Sequence, residues 1–192
     1  MPMSRPDTIL DVVNVIKQKQ PQSILEVGCG DGFYGMLFRR YLDGDVTDGR
    51  GLHKKINWRH HIDGIEIYEL YRNPAHDYFY NKILWGVDAV KYFEFDPAPR
   101  KYDCIFMGDI LEHLDKPIGM KMVKNAHRHL NDKGFLIIVT PLKKMQWHKS
   151  PNENPYEAHK SMWDEYDFDH MEDYKSVTLG MKVKLFVVLE RK

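Results

Sequence analysis

In Ile24-Leu25-Glu26-Val27-Gly28-Cys29-Gly30-Asp31-Gly32, a short apolar strand over 23–27 ends in an acid and runs directly into three glycines at alternate positions. Glycine permits a tight turn and lets a ligand approach the backbone. Phe33 to Tyr41 then resumes apolar spacing of helical period, so the segment reads strand, loop, helix. The free N–H groups at the start of such a helix bind polar ligand groups, carboxylates among them. Upstream, Ile9, Val12, Val13 and Ile16 recur at helical spacing after Asp7, a predicted N-cap. They predict an amphipathic helix over 7–19, ended before Pro21 and packed beside the glycine loop.

Downstream, the apolar runs at 61–67, 81–85, 102–107 and 134–140 predict four more strands, with helical stretches between most of them. Strands alternating with helices imply a parallel sheet with helices on both faces. The stretches 176–179 and 182–190 break that alternation and predict an antiparallel hairpin that closes the sheet, turning around Gly180 and Met181. The expectation is an α/β fold with a mostly parallel seven-stranded sheet, one domain over 1–192. Two stretches exceed this plan. Residues 43–60 form an insertion, acidic then basic, with Trp58 near its end, expected to be a solvated surface loop. Residues 141–169, rich in Pro, Asn, Trp, Tyr and His, are expected to form a long structured loop with a short helix near its end.

Lys+Arg and Asp+Glu both number 28 among the 192 residues, so the totals imply no basic face and nucleic acid is not an expected partner. Cys29 and Cys104 lie far apart and neither has metal-ligand spacing, which fits a reducing cytoplasm. No stretch reaches about 18 apolar residues and residues 1–11 carry no leader-like apolar run, so neither a membrane span nor secretion is expected. His53, His60 and His61 supply no convincing set of metal ligands, and no metal is expected.

The glycine loop satisfies a second pattern, because Gly30-Asp31-Gly32-Phe33-Tyr34-Gly35 is a literal G-x-G-x-x-G. A nicotinamide site wants its glycines immediately after the strand, whereas Glu26 and Gly28 come first here and Gly35 falls inside the helix. The acid ending the second strand, Glu66, also lies well over 20 residues downstream, beyond the spacing of a dinucleotide site.

On these residues the chain resembles the class I S-adenosylmethionine-dependent methyltransferases, particularly small prokaryotic and phage members, over nearly all of 23–140. The resemblance implies a Rossmann-like fold and S-adenosylmethionine as cofactor. It assigns Glu26, Gly28, Gly30 and Gly32 to the family's acid-glycine loop. Glu66, in Asp63-Gly64-Ile65-Glu66-Ile67, takes the place of the acid that binds both ribose hydroxyls, a role that suits a carboxylate accepting two hydrogen bonds from one diol. Asp88, in Gly86-Val87-Asp88-Ala89, takes the place of the acid that accepts from the adenine amino group, although it also reads as the N-cap of a helix over 89–93. Gly108-Asp109-Ile110-Leu111-Glu112-His113-Leu114 is similar to the Asp-x-Leu-Glu-His segment of small-molecule methyltransferases and sets Asp109 at the carboxyl edge of the sheet. Ile67, Ala89 and Ile110 complete the expected cofactor-binding set.

Methyl transfer is an in-line displacement in which the protein mainly positions the nucleophile and removes its proton when it has one. Few residues are obligatory, so the cofactor is more legible than the acceptor. His113 follows Asp109 by four; on a helix the two share a face, and a neutral imidazole there acts as general base, or else His113 is a structural residue at a helix end. The segment from Asn152 to Trp163 resembles an Asn-Pro-Tyr-Glu-x-His-x-Ser-x-Trp stretch of small prokaryotic and phage methyltransferases. Placed after the fifth strand, it is expected to reach over the sheet edge as a substrate-side lid. His159 is then a second candidate base, and Trp163 or Tyr156 a wall for the acceptor, unless these aromatics only anchor the loop. Asn154-Pro155-Tyr156 lacks the second proline of the amino-group DNA methyltransferases, and neither cysteine follows a proline as in the cytosine-C5 enzymes. The expected function is methylation of an oxygen or nitrogen on a small molecule, sugar or peptide side chain. The alternatives are a nicotinamide-dependent oxidoreductase and a non-catalytic cofactor-binding regulator.

Overall fold

The computed structural model describes residues 8–44, 54–95, 100–142, 154–180 and 184–192. Among them lie seven strands, β1 (Ser23–Val27), β2 (His61–Glu66), β3 (Lys82–Trp85), β4 (Tyr102–Gly108), β5 (Leu130–Pro141), β6 (Tyr174–Gly180) and β7 (Lys184–Arg191). They form one sheet in the order β3-β2-β1-β4-β5-β7-β6. The first five strands run parallel, while β7 pairs antiparallel with β5 and β6 antiparallel with β7. This is the expected Rossmann-like α/β architecture. The chain reverses its direction of growth between β3 and β4, so β1 and β4 meet at a topological switch point, where open α/β sheets leave a crevice beyond their carboxyl ends.

The α-helices are α1 (Ile9–Lys19), α2 (Phe33–Leu42), α3 (Pro74–Phe79), α4 (Ala89–Tyr92) and α5 (Lys116–Ala126). Successive strand residues point to opposite faces, and the core divides accordingly. Leu25, Val27, Ile105, Met107, Leu136 and Ile138 pack with Met122, Val123 and Ala126 of α5. Ile24, Cys104, Phe106, Ile137 and Val139 pack with Val12 and Ile16 of α1 and Phe38 of α2. No helix among the described residues is long and apolar enough to cross a membrane.

Three expectations change here. The N-cap of α1 is Thr8, and Asp7 lies outside the described residues. The fifth strand begins at Leu130 rather than 134, with its pairing to β4 irregular between Tyr102 and Cys104 and Lys133 at φ 62. The polar run Asn131-Asp132-Lys133 hid that start. The insertion also differs from a solvated loop where it is described; residues 45–53 fall outside. Asp43 is 1% exposed and accepts from the backbone N–H groups of Arg59 and His60, from His60 Nδ1 at 2.8 Å and from Arg39 Nη1 at 2.9 Å. Burial pushes the Asp43 carboxyl up, but these four donors outweigh it and leave it at about 2. Arg39 also donates to the carbonyls of Phe79 and His60 and to Asn81, and stacks 4.2 Å over the ring of Trp58. Both ends of the insertion are therefore clasped to α2 and to the start of β2.

Candidate active site

The glycine loop leaves β1 through three left-handed residues, Gly28 (φ 69), Gly30 (φ 53) and Gly32 (φ 88). At Gly28 the need for glycine is double, because a Cβ there would lie 2.0 Å from the Ile110 side chain. The loop is held from the β2 side. Gly28 and Cys29 donate to the carbonyl of Ile65, Gly30 N–H donates to Glu66 Oε2 at 2.9 Å, and His76 Nε2 donates to the Gly30 carbonyl at 3.0 Å. Gly35 makes room for a phenol: its Cβ would stand 2.3 Å from the ring of Tyr80. Gly35 N–H donates to the Tyr80 hydroxyl, which donates to Glu26 Oε2 at 2.7 Å. Glu26 is fully buried, and burial pushes its carboxyl up to about 8, with the Tyr80 bond opposing and the Glu66 and Asp31 charges adding.

A cleft of about 950 Å³ opens beyond the carboxyl ends of β1, β2 and β4. Every expected cofactor residue lines it except Gly32, which caps the start of α2 and shapes the turn instead. α1 contributes no residue to the cleft itself; its Val12 and Ile16 share a core cluster with Cys29 and Tyr34, which do line it. Glu66 is 5% exposed and has both oxygens engaged, Oε2 by Gly30 and Oε1 by Tyr68 N–H at 2.8 Å. Burial holds its carboxyl above the usual range despite these donors. Asp88 is the N-cap of α4, its Oδ1 accepting from Val90 N–H at 2.8 Å, and it lines the cleft as well. Asp109 stands at φ 54 directly after β4, and Lys184 Nζ binds both its oxygens at 2.6–2.7 Å.

The expected helix carrying Asp109 and His113 on one face is absent. The left-handed backbone at Asp109 breaks the run, and Leu111–His113 forms a single 3-10 turn. What meets His113 is His159, their ring centroids 5.0 Å apart at 73°. The contact exists because the segment after β5 docks on that turn. Lys160 and Ser161 N–H both donate to the Glu112 carbonyl, at 2.7 and 3.2 Å, and Ser161 Oγ donates to the Leu111 carbonyl. Farther back, Asn154 Nδ2 donates to the Tyr71 hydroxyl, which donates to Glu157, both at 2.8 Å. The docked segment thus spans the cleft from the turn after β4 to Tyr71 beyond β2; residues 143–153 lie outside the described set.

Trp163 is no wall of the cleft. It is fully buried, stacked on Phe168 and packed against Gly119 of α5, where a Cβ would come within 2.8 Å of its ring. Tyr156 does line the cleft. Glu112, also lining it, is 1% exposed and accepts from Thr140 Oγ1 at 3.0 Å; burial and the neighbouring Asp109 push its carboxyl well above the usual range. One ligand atom each from Glu112, His113 and His159 lies within 4.8 Å of the others. The histidines weighed earlier for a metal are committed elsewhere, His60 to Asp43 and His61 to Asp63, while His53 lies outside the described residues.

Tyr80, His76, Tyr71 and Lys184 went unnoticed in the sequence. Only Lys184 left a signal there, as the charge directly before the apolar run Leu185–Leu189.

No curated protein matches the sequence. Among solved structures, the fold is similar to S-adenosylmethionine-bound CalS10, an amino pentose methyltransferase of calicheamicin biosynthesis from Micromonospora echinaspora. That pair is 14% identical, covers 99% of this chain and 92% of the other, and has a TM-score of 0.64. The N-methyltransferase NodS from Bradyrhizobium japonicum WM9, in complex with S-adenosylhomocysteine, is 14% identical over 98% of this chain and 89% of its own, with a TM-score of 0.60. An O-methyltransferase family protein from Burkholderia thailandensis is 11% identical over 95% of this chain and 56% of its own, with a TM-score of 0.61. At these identities the likeness is one of fold. The sequence profile of a family described as a methyltransferase domain matches residues 4–177. With almost its whole length matched in this way, the chain belongs to that family of methyltransferase domains, on the Rossmann-like fold described above.

Proposed function

We propose that this enzyme methylates an oxygen or nitrogen of a small molecule, a sugar or a peptide side chain within a single domain in the cytoplasm. One observation carries the reading: residues from the ends of β1, β2, β3 and β4 face a single cleft whose other wall presents His113 and His159. The residues fit S-adenosylmethionine. Each Glu66 oxygen has spent one lone pair on a backbone N–H and keeps another for one hydroxyl of the ribose diol. Gly28 and Gly30 leave the floor of the cleft without side chains, next to Glu26 and the start of α2 where the methionine end belongs. Asp88 and Ala89 take the adenine, Ile67 lies beside the ribose, and Asp109 and Ile110 stand by the reacting end.

When bound, the cofactor supplies an electrophilic methyl carbon. The chain supplies position, worth up to about 7–11 kcal/mol for a well-aligned pair. His113 and His159 are the groups that take the acceptor's proton. The Ala158 carbonyl, 3.4 Å from His113 Nδ1, can only accept, so Nδ1 carries the proton and Nε2 keeps its lone pair. The docked segment 154–163 acts as the lid, excluding water, with Tyr156 as the acceptor's wall. The balance of 28 basic and 28 acidic residues favours a compact acceptor over nucleic acid.

The test is calorimetric titration of the protein with S-adenosylmethionine and, separately, with NADH, followed by transfer of labelled methyl to metabolite and peptide pools. Tight NADH binding with no S-adenosylmethionine heat would sink the proposal. Cofactor binding with no transfer to any pool would turn the chain into a regulator.

A further inference from the structure

Glu112 and His113 leave β4 together, and His159 arrives from the segment after β5. Their ligand atoms lie within 4.8 Å of one another, and all three residues line the cleft. His113 and Glu112 are each aimed by a neighbour. His113 Nδ1 is tied to the Ala158 carbonyl, which directs Nε2 as a ligand atom. Glu112 is braced by Thr140 Oγ1, and its own carbonyl anchors Lys160 and Ser161, the residues that follow His159. Imidazoles fixed by a carbonyl and carboxylates fixed by a hydroxyl are the supports that metal ligands require. Two imidazoles in contact exceed the need of a base, which is met by one.

We propose that Glu112, His113 and His159 hold a divalent transition-metal cation, with positions left open for a hydroxyl oxygen of the methyl acceptor. This rests on the methyltransferase reading of the cleft and narrows it to O-methylation. Two nitrogens and one carboxylate suit Mn²⁺, Fe²⁺, Co²⁺ or Zn²⁺, whereas Mg²⁺ and Ca²⁺ prefer oxygen sets. The cation lowers the pKa of the acceptor hydroxyl, which gives up its proton to solvent; with both imidazoles bound to the cation, this takes the place of proton transfer to His113 or His159. The oxygen lone pair then forms the O–CH₃ bond as the bond from the methyl carbon to sulfur breaks, the electron pair staying on sulfur. No oxidation state changes.

The test uses chelator-treated full-length protein and Co²⁺ alone, read by visible absorption, with Zn²⁺ and Mn²⁺ titrated by calorimetry. The wild type is expected to take up one equivalent and show a ligand-field band. His113→Ala and His159→Ala are expected to bind at least roughly tenfold more weakly, and His170→Ala, at an exposed position outside the cleft, to match the wild type. Absence of the band and of heat, or undiminished uptake by both His113→Ala and His159→Ala, would overturn the proposal. S-adenosylmethionine heats on the same samples keep the two readings apart. Cofactor binding without metal uptake sinks only the metal site, whereas metal uptake at these residues without cofactor heat supports the metal site and sinks the methyl-donor reading.

Discussion

Replacing Glu26 by glutamine should flatten the pH dependence of the protein's stability. The carboxyl lies fully buried beneath the glycine loop, and its removal from water lifts it from the usual 4.5 to about 8. Between those values the unfolded chain is ionised at Glu26 while the native chain keeps the proton. The stability that Glu26 contributes is therefore fully present below pH 4.5, declines as pH rises and levels off above about 8. At about 1.4 kcal/mol per unit, the decline across that window is on the order of 5 kcal/mol, a large share of the roughly 5–15 kcal/mol that holds a domain of this size together. Glutamine keeps the shape, and its amide oxygen still accepts the Tyr80 hydroxyl, 2.7 Å away in the wild type. The assay is urea unfolding of both proteins without cofactor at pH 5, 6, 7 and 8. The stability of the wild type relative to Glu26→Gln should fall steadily across the series. Parallel curves, or a wild type that gains on the variant as pH rises, would refute the reasoning by showing that the native carboxyl is already ionised.

Three further outcomes are expected. Glu66→Ala should weaken S-adenosylmethionine binding by roughly 1–3 kcal/mol in calorimetry, the cost of unmaking charged hydrogen bonds; an unchanged dissociation constant would show that the ribose is held elsewhere. Trp163→Ala should cost ~3–5 kcal/mol of stability in a thermal melt, because it empties a fully enclosed site between α5 and Phe168; a loss below about 1 kcal/mol, the norm for a surface position, would return this ring to the cleft. Lys184→Met should destabilise by about 1–3 kcal/mol through loss of the charged hydrogen bonds from Lys184 to both Asp109 oxygens, and adding Asp109→Asn should recover most of that loss; a double variant no better than the single one would disprove the pairing.

The legible parts of this molecule are those in which neighbours along the chain are also neighbours in space. The strands at 23–27 and 102–108 stood out because buried parallel strands are short, largely apolar runs, and the glycine loop because left-handed backbone selects one residue type. The 3-10 turn at Leu111–His113 was read as a helix because nothing local reports that Asp109 takes φ 54 under the pull of Lys184, 75 residues away. The sequence leaves Trp163 open between a wall for the acceptor and a loop anchor because an aromatic in a polar loop looks the same whether it faces the cleft or is buried; the room left by Gly119 settles it. The buried clasp of Asp43, Arg39 and His60 was hidden for the opposite reason: charged residues in an insertion read as solvated when their mutual contacts are long-range. The likeness of the histidines to a catalytic pair depended on a distance, and distance is not written in spacing.

The direction of β7 has a consequence for how this site could change over time. In the five parallel strands, a residue reaches the working edge of the sheet only at the end of its strand, after the whole strand has been laid down. β7 runs the other way, so it delivers its first residue there: Lys184 lies opposite Pro141, at the end of β5. Adding or deleting residues just before Lys184 would shift which side chain confronts Asp109, while the apolar pairs farther along could slide back into register two residues at a time. A chain that drifts in the length of this one connection can exchange its buried cation for another group without touching any residue that a glycine-loop comparison would inspect.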